Sequence, residues 1–211
     1  MLHVTDISGK DVQEAYEEMP TKKWIKPIPY DKTIRFEDYH RKEHFIPVAD
    51  IVLDTEMATK GKKAGKKQRM TLIQFVPTVK KVFNKETEWL YLFLINGRIV
   101  KLGGTRNGLQ RRAGSYLCGH HVKEHGKSGD MSKTNAFIYN TLLFYLQQGC
   151  KVEMMGYELP RREITIEIFG KDTVVVAQTY HAYESKFLDD YKKKYREYPF
   201  LSDNCDPAYK S

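Results

Sequence analysis

Residues 89–104, WLYLFLINGRIVKLGG, determine the predicted fold of the chain. Residues 89–95 are an unbroken apolar run, which is typical of a strand with both faces covered at the centre of a sheet. Asn96-Gly97 is the preferred sequence for a two-residue hairpin turn, so residues 98–103 are expected to return beside the first strand. The sequence therefore predicts a buried β-hairpin here.

Helices and strands alternate along the chain after this hairpin. Apolar spacing with flanking glycine and proline predicts helices over residues 107–116, 135–148 and 180–196. Between the last two helices, residues 151–157 are expected to form a strand and residues 163–177 a second hairpin. This order predicts an α+β fold with a small central β-sheet, mixed or antiparallel, that is flanked by helices.

The charge of the chain indicates an anionic partner. Its 211 residues include 35 lysines and arginines against 27 aspartates and glutamates, a formal net charge of +8. Such an excess favours nucleic acid over a membrane surface or an acidic protein. No apolar run is long enough to cross a bilayer, the N-terminus lacks a signal-peptide pattern, and the three cysteines form no CxxC pair. These features predict a cytoplasmic protein with no membrane partner and no small-molecule cofactor.

The densest positive charge lies in residues 60–69, KGKKAGKKQR. Five lysines and an arginine repel one another, and the segment has nothing apolar to bury, so a loop is expected. The apolar runs 50–53 and 70–76 on either side are expected to pair as strands around it. The loop is either simply solvated, or it contacts nucleic-acid phosphates and releases their counterions.

Residues 88–205 resemble the GIY-YIG nuclease superfamily. The tripeptide WLY at 89–91 stands where that family has its first motif, and KLG at 101–103 follows ten residues after the tyrosine as the second. The sequence GLQRR at 108–112 then resembles the family's glycine-rich turn and arginine helix. No part of the chain before residue 88 carries the resemblance.

Two residues depart from the family pattern. Trp89 replaces the leading glycine of the first motif, and Lys101 replaces the tyrosine of the second. A lysine at that position resembles the type II restriction endonuclease branch of the superfamily. That branch also has a tyrosine four residues after the arginine, as Tyr116 stands here relative to Arg112.

The resemblance implies a set of catalytic residues, which are Tyr91, Lys101, Arg112, Tyr116, Glu184 and Asn204. Phosphodiester hydrolysis needs a base for water, positive charge for the transition state and a divalent ion for the leaving oxygen. Tyr91 is the expected base, with Tyr116 as the alternative, and neighbouring hairpin strands are expected to bring Lys101 beside Tyr91 to lower its pKa. Arg112 would bind phosphate oxygens. Glu184 would bind one Mg²⁺ or Mn²⁺ ion.

The function implied by the resemblance is that of a sequence-specific double-stranded DNA endonuclease. It would hydrolyse phosphodiester bonds with one divalent metal ion in each active site. Residues 86–211 are expected to form the nuclease domain, and residues 1–85 an N-terminal arm and basic loop that engage DNA. Since one active site cuts one strand, a homodimer is expected. The alternatives are a homing or repair nuclease of the same superfamily and a non-catalytic nucleic-acid-binding protein on the same fold.

Further residues are predicted to contact DNA because they are basic or lie at a helix start that offers polar groups to an anion. They are Lys62, Lys63, Lys66, Lys67, Arg69, Arg106, Arg111, Ser132, Lys133 and Asn135. The group Cys118, His120, His121 and His125 has some of the spacing of a zinc site but lacks an evident fourth ligand. A loop near DNA is the preferred interpretation of that stretch.

Overall fold

The central sheet has five strands in the order β2-β1-β5-β3-β4, and all neighbouring strands are antiparallel. They are β1 (Ile46–Leu53), β2 (Ile73–Pro77), β3 (Trp89–Ile95), β4 (Arg98–Thr105) and β5 (Val152–Glu158). This is a computed structural model, and it describes residues 6–57, 59, 64–66, 68–121 and 132–202. The predicted α+β fold, with a central sheet flanked by helices, is confirmed.

Helices lie on both faces of this sheet. They are α1 (Gln13–Glu18), α2 (Lys80–Phe83), α3 (Leu109–Leu117), α4 (Lys133–Gln147) and α5 (Tyr180–Tyr195). Single 3-10 turns lie at Lys22–Trp24, Tyr30–Lys32, Phe36–Asp38, Lys42–His44 and Cys118–His121. Among the described helices, none combines the length and the apolar character that a membrane span requires.

The β3–β4 hairpin forms as the sequence predicts. All seven residues of β3 are buried between β4 and β5. Asn96 and Gly97 both have positive φ, 48° and 73°, which is the conformation that a tight hairpin turn of the primed type requires. The register shifts between Phe93 and Leu94 because β4 has one additional residue there, Val100, so that Lys101 lies opposite Phe93.

Two strands of the central sheet, β1 and β2, come from the chain before residue 85. Strand β1 lies between β2 and β5, and Ile46 to Ile51 pair with residues 152–156. Residues 34–36 continue along the outer edge of β4, where Ile99 N donates to the Ile34 carbonyl at 2.9 Å. Residues 34–36, 46–53 and 73–77 therefore add backbone pairing to the sheet that contains β3 and β4.

The two faces of the sheet carry two hydrophobic clusters. On the first face, Tyr91 and Phe93 pack with residues of α3 and α4, among them Tyr116 and Phe144. On the second face, Leu90 and Leu92 of β3 pack with Leu188 and Tyr191 of α5 and with Tyr39 and Phe45 of the N-terminal segment. Successive side chains of β3 and β4 point to opposite faces of the sheet. The position of a residue in its strand therefore determines which helices it contacts.

A second, two-stranded sheet stands apart from the first. It consists of β6 (Arg162–Ile168) and β7 (Lys171–Ala177), which pair along their whole length. The turn at Phe169 and Gly170 has positive φ at both residues, 52° and 74°. This is the hairpin predicted over residues 163–177, and every residue of β6 is exposed.

Candidate active site

Two tyrosines and one arginine form a hydrogen-bonded cluster on the first face of the sheet. The hydroxyl oxygens of Tyr91 and Tyr116 lie 2.5 Å apart. Arg112 donates from Nε to the Tyr91 hydroxyl and from Nη2 to the Tyr116 hydroxyl, each at 2.9 Å. Both tyrosines are fully buried, and the Arg112 Cζ lies 4.5 Å from the centre of the Tyr116 ring. The guanidinium therefore covers a buried pair of phenols.

The strand register and the helix period position these three side chains. Tyr91 lies opposite Gly103 in the β3–β4 pair, and its ring occupies the space above that glycine. A Cβ atom at Gly103 would come within 2.6 Å of the Tyr91 Cζ. Arg112 and Tyr116 are four residues apart in α3 and so project from one helix face. Only a residue without a side chain at position 103 leaves room for Tyr91 to reach them.

The surroundings shift the pKa values of all three groups in the cluster. Burial raises the pKa of Tyr91, while the charge of Arg112 and the hydrogen bonds from Tyr116 and Arg112 oppose that rise. Burial and the neighbouring Tyr91 raise the pKa of Tyr116 well above its ordinary value. Burial opposes the charge of Arg112, but its contacts with both tyrosines keep its pKa above the usual arginine value. Burial therefore disfavours the phenolate at both tyrosines, and the charge of Arg112 favours it.

Glu184 approaches the same part of β4 from α5. A Cβ at Gly104 would lie 3.0 Å from the Glu184 Oε2 and 2.8 Å from the Tyr180 Cδ2. Gly104 follows Gly103, so its missing side chain would point to the second face of the sheet. Tyr91 and Glu184 thus flank the glycine pair from opposite faces. Only backbone separates them there, and the charge of Glu184 is close enough to contribute to the raised pKa of Tyr91.

Glu88 holds the start of the helix that carries Glu184. Its Oε2 accepts hydrogen bonds from the Thr179 backbone N and from the Thr179 Oγ1, both at 2.9 Å. Its Oε1 accepts from the Thr179 N at 3.1 Å and from the Tyr180 N at 3.4 Å. A carboxylate at a helix N-terminus satisfies N–H groups that have no partner within the helix. The sequence analysis did not identify Glu88, because its partners are 91 and 92 residues away.

Lys101 lies on the same face of the sheet as Tyr91, but its described hydrogen bond is directed elsewhere. It is 5% exposed, and its Nζ donates to the Leu201 carbonyl at 3.1 Å. Leu201 in turn donates its backbone N to the Val100 carbonyl at 2.7 Å. The described contacts of the Tyr91 hydroxyl come from Arg112 and Tyr116, whereas the sequence predicts Lys101 as its neighbour. This hydrogen bond ties Lys101 to the segment that runs along the outer edge of β4.

The remaining predicted residues are spread over the surface or lie outside the described residues. Arg111 forms an ion pair with Glu86 at 2.6 Å, and Arg69 pairs with Asp54 at 3.3 Å. The exposed residues of the predicted DNA-contacting set are Lys66, Arg69, Arg106, Arg111, Ser132 and Lys133, and Asn135 is partly buried. Ser132 is the N-cap of α4, although its side chain makes no capping hydrogen bond. The predicted residues that lie outside the described ranges are Asn204, Lys62, Lys63 and Lys67, together with His125 of the zinc hypothesis.

The Glu184 carboxylate suits a hard divalent cation. Its oxygen atoms are the ligand type that Mg²⁺ and Mn²⁺ prefer. The Glu184 side chain is partly buried beside Gly104. Within the described ranges its carboxylate takes part in no hydrogen bond or ion pair. In the part of the chain that the structure describes, no group of three or more His, Cys, Asp or Glu side chains could hold a metal. A cation here would have one carboxylate ligand and would keep most of its water ligands.

Comparison with known proteins finds similarity only to solved structures. No protein-family model matches the sequence, and no curated protein matches it significantly. Four chains of solved structures do match. The restriction endonuclease HPY188I, solved with product DNA, has a TM-score of 0.49 and 22% identity over 82% of this chain and 86% of its own. A mutant of bacteriophage T4 EndoII has a TM-score of 0.45 and 20% identity over 73% of this chain and 96% of its own.

Proposed function

We propose that this chain is a metal-dependent DNA endonuclease that hydrolyses phosphodiester bonds at the Tyr91–Tyr116–Arg112 cluster. The observation that carries the proposal is the pair of hydroxyl groups 2.5 Å apart, each held by one nitrogen of the same guanidinium at 2.9 Å. Those residues are the ones at which the sequence resembles GIY-YIG nucleases. The net charge of +8 supports double-stranded DNA as the substrate.

The hydrogen bonds of the cluster suit a base that has given up its proton. Arg112 supplies two hydrogens, and one phenolic hydrogen lies between the Tyr91 and Tyr116 oxygens. Only one of the two phenolic hydrogens is therefore needed for the described hydrogen bonds, and the cluster could form with one of the phenols deprotonated. A Tyr91 phenolate would accept hydrogen bonds from both neighbours, and charge-assisted bonds of this kind are stronger than neutral ones. Tyr91 is the tyrosine of the first motif, so we take it as the general base that activates water, with Tyr116 as the donor that stabilises it.

Arg112 has two roles in this proposal. Before DNA binds, its guanidinium covers the buried hydroxyls and stabilises the phenolate. The scissile phosphate is a competing anion, and it draws the guanidinium towards its own oxygens. The Tyr91 hydroxyl is then accessible to the attacking water. The positive charge of Arg112 remains next to the phosphate as negative charge develops in the transition state.

Glu184 would hold one Mg²⁺ or Mn²⁺ ion on the other side of the glycine pair. A divalent cation there supplies positive charge to the phosphate and to the leaving oxygen. Gly103 and Gly104 carry no side chains, so Tyr91 and Glu184 each pack directly against the backbone of β4 from their own face of the sheet. Glu88 fixes the start of α5 and with it the position of Glu184.

Within this activity, the type II restriction endonuclease branch of the GIY-YIG superfamily is the class that the residues favour. Lys101 and Tyr116 occupy the positions that distinguish that branch. The proposed enzyme cuts double-stranded DNA at a specific sequence, and two active sites in a homodimer cut the two strands. The exposed basic residues, among them Lys66 and Arg106, would contact the DNA backbone.

Digestion of supercoiled plasmid and of phage DNA tests the proposal. We expect discrete fragments with Mg²⁺ or Mn²⁺, none with a chelator, and none from Glu184→Ala. Tyr191→Phe, which removes a buried phenol from the second face of the sheet, is the matched control and should cut normally. Smeared or branch-dependent products would indicate a homing or repair nuclease instead. DNA that is bound but left intact by the wild-type protein under all metal conditions would refute catalysis.

A further inference from the structure

The turn of the β6–β7 hairpin holds a phenylalanine in a backbone conformation that disfavours this residue. Phe169 is fully exposed and has a positive φ of 52°. Positive φ is uncommon in residues other than glycine, and for a bulky side chain it is an outlier. The exposed apolar ring and this backbone conformation both lower the stability of the free protein. A residue held in this way points to a function for its side chain.

The β3–β4 hairpin shows which residue this turn ordinarily takes. The two turns have matching sequences, INGR at residues 95–98 and IFGK at residues 168–171. The two central residues have φ values of 48° and 73° in the first turn and of 52° and 74° in the second. Asparagine followed by glycine is the preferred sequence for this conformation. The second hairpin therefore has the same turn with an aromatic ring at its tip, and the geometry of the turn does not account for the ring.

The charges of the hairpin are sorted between its two sides. Among the described residues, β6 and β7 pair only with each other, so both sides are free of a covering strand. The strand register gives one side, the isoleucine side, two cations and no acid; its members include Arg162, Ile164, Ile166, Ile168 and Lys171. The other side, the acidic side, has all three acids and two exposed valines, which are Glu163, Glu167, Asp172, Val174 and Val176. An anion is therefore attracted to the isoleucine side, where Lys171 lies directly after the turn.

The hairpin begins and ends beside the start of β3, the strand that carries Tyr91. The Leu159 backbone N donates to the Glu88 carbonyl at 2.9 Å, and the Glu88 carboxylate binds the N and Oγ1 of Thr179. Both ends of the segment that contains the hairpin are thus held at Glu88. Ten residues separate Leu159 from Phe169, so the tip lies at most about 36 Å from this point. This is about one turn of duplex DNA, so the hairpin is long enough to reach DNA bound at the proposed active site.

We propose that Phe169 inserts between stacked bases of DNA and bends the duplex near the cleavage site. The inference rests on the proposed function, since it takes DNA as the ligand. Proteins that deform DNA insert apolar side chains, phenylalanine among them, into a base step and kink the duplex there. A two-stranded ribbon fits a DNA groove, and Arg162 and Lys171 would contact the phosphates that border it. Because the energy needed to open a base step depends on its sequence, the insertion would contribute to sequence specificity.

Two observations favour a base stack over a protein surface as the environment of Phe169. A single ring at the tip of a ribbon offers far less area than the roughly 800 Å² that each partner of a specific protein interface buries. One aromatic ring is nevertheless enough to stack on a base. The second observation is charge, since the chain has a net charge of +8 and the residue after the turn is Lys171.

Relaxation of a closed circular plasmid by a topoisomerase that needs no metal tests the inference without DNA cleavage. The full chain is bound to the plasmid at saturation in EDTA, and the supercoils that remain after protein removal are counted on a gel. Insertion of a wedge untwists the duplex, so the wild type should leave negative supercoils. Phe169→Asn places in this turn the residue that the β3–β4 turn has, so it should fold at least as well. It should leave the plasmid relaxed and bind a duplex about 10-fold more weakly, as for loss of one stacked ring.

The matched control is Val174→Thr. It makes another exposed apolar residue of the same hairpin polar, keeps the β-branched shape and lies on the acidic side, away from the turn. This control should leave as many supercoils as the wild type. Phe169→Trp retains an aromatic ring at the tip and should also untwist the plasmid.

Any of three results would overturn the inference: a wild type that leaves the plasmid relaxed at saturation, a Phe169→Asn protein that untwists it like the wild type, or equal losses in Phe169→Asn and Val174→Thr. Unchanged untwisting by Phe169→Asn, together with altered sedimentation of the free protein, would assign the ring to a protein contact instead. A wild type that nicks DNA with Mg²⁺ but never untwists it removes this inference alone. Untwisting that depends on Phe169, without nicking under any metal condition, removes only the proposed function.

Discussion

Adding one methyl group at Gly103 should disable the cluster while leaving the fold intact. An alanine Cβ at that position would lie 2.6 Å from the Tyr91 Cζ, where ordinary contact begins at 3.4 Å. The Tyr91 ring must therefore move by about 0.8 Å. A displacement of that size would change the 2.9 Å hydrogen bond to Arg112 by up to about 0.8 Å, which is enough to break it. Displacement of a catalytic group by about 1 Å costs about 100-fold in rate.

The stability cost of Gly103→Ala should be moderate. Insertion of one methyl group into a packed core costs about 1–3 kcal/mol. The matched control is Gly114→Ala in α3, two residues from Arg112, where a Cβ would meet nothing within 4 Å. Alanine in a helix interior is about 0.5–1 kcal/mol more favourable than glycine, so this control should be slightly stabilised and fully active.

The assay is single-turnover nicking of supercoiled plasmid with Mg²⁺, with urea denaturation of each variant in parallel. We expect Gly103→Ala to lose about 100-fold in rate and to stay folded, and Gly114→Ala to match the wild type. A folded Gly103→Ala protein that nicks at the wild-type rate would refute the reasoning, because the position of Tyr91 would then be irrelevant to the reaction.

Three other predictions concern residues around the site and in the core. Glu88→Gln should lower the unfolding free energy by about 1 kcal/mol and slow cleavage, whereas Glu86→Gln, in an exposed ion pair, should change neither in denaturation and nicking assays. Arg112→Lys removes one of the two N–H contacts that hold the phenols, so the pKa of Tyr91 should rise further, and the limb of the pH–rate profile on which the rate increases with pH should move to higher pH. Burial raises the pKa values of three core tyrosines, so the folded protein keeps these protons above pH 10 while the unfolded chain loses them, and stability falls as pH rises. At pH 11 each should cost about 1.4 kcal/mol and the three together about 4 kcal/mol, which urea melts at pH 9 and 11 would detect, and equal melts would contradict. These tyrosines are Tyr39, Tyr145 and Tyr191.

The sequence predicts the local parts of the fold well. The β3–β4 hairpin follows from an apolar run and Asn96-Gly97, because both the strand and the turn depend on neighbouring residues. The spacing of Arg112 and Tyr116 predicts that they share a helix face, and their contact through Nη2 agrees. The second hairpin follows in the same way, although its separation from the main sheet does not.

Contacts between distant segments are the part that the sequence does not predict. β1 inserts beside β5, about 100 residues away, because its apolar side chains complete the core, and no local pattern specifies that neighbour. The Lys101 side chain reaches Leu201, since the bulge in β4 and the segment at its edge set its direction. In the sequence, Glu88 is an ordinary polar residue that precedes a strand. It caps a helix only because the fold brings the start of α5 next to it.

The central claim is that the Tyr91 hydroxyl takes the proton from water during DNA hydrolysis. The most direct test is the single-turnover cleavage rate of Tyr91→Phe on a duplex with Mg²⁺, measured together with its DNA affinity over a range of salt concentrations. We expect a rate loss of about 10²–10⁴-fold, as for removal of a general base, with affinity and salt dependence equal to those of the wild type. A Tyr91→Phe protein that cleaves the duplex at the wild-type rate would contradict the claim.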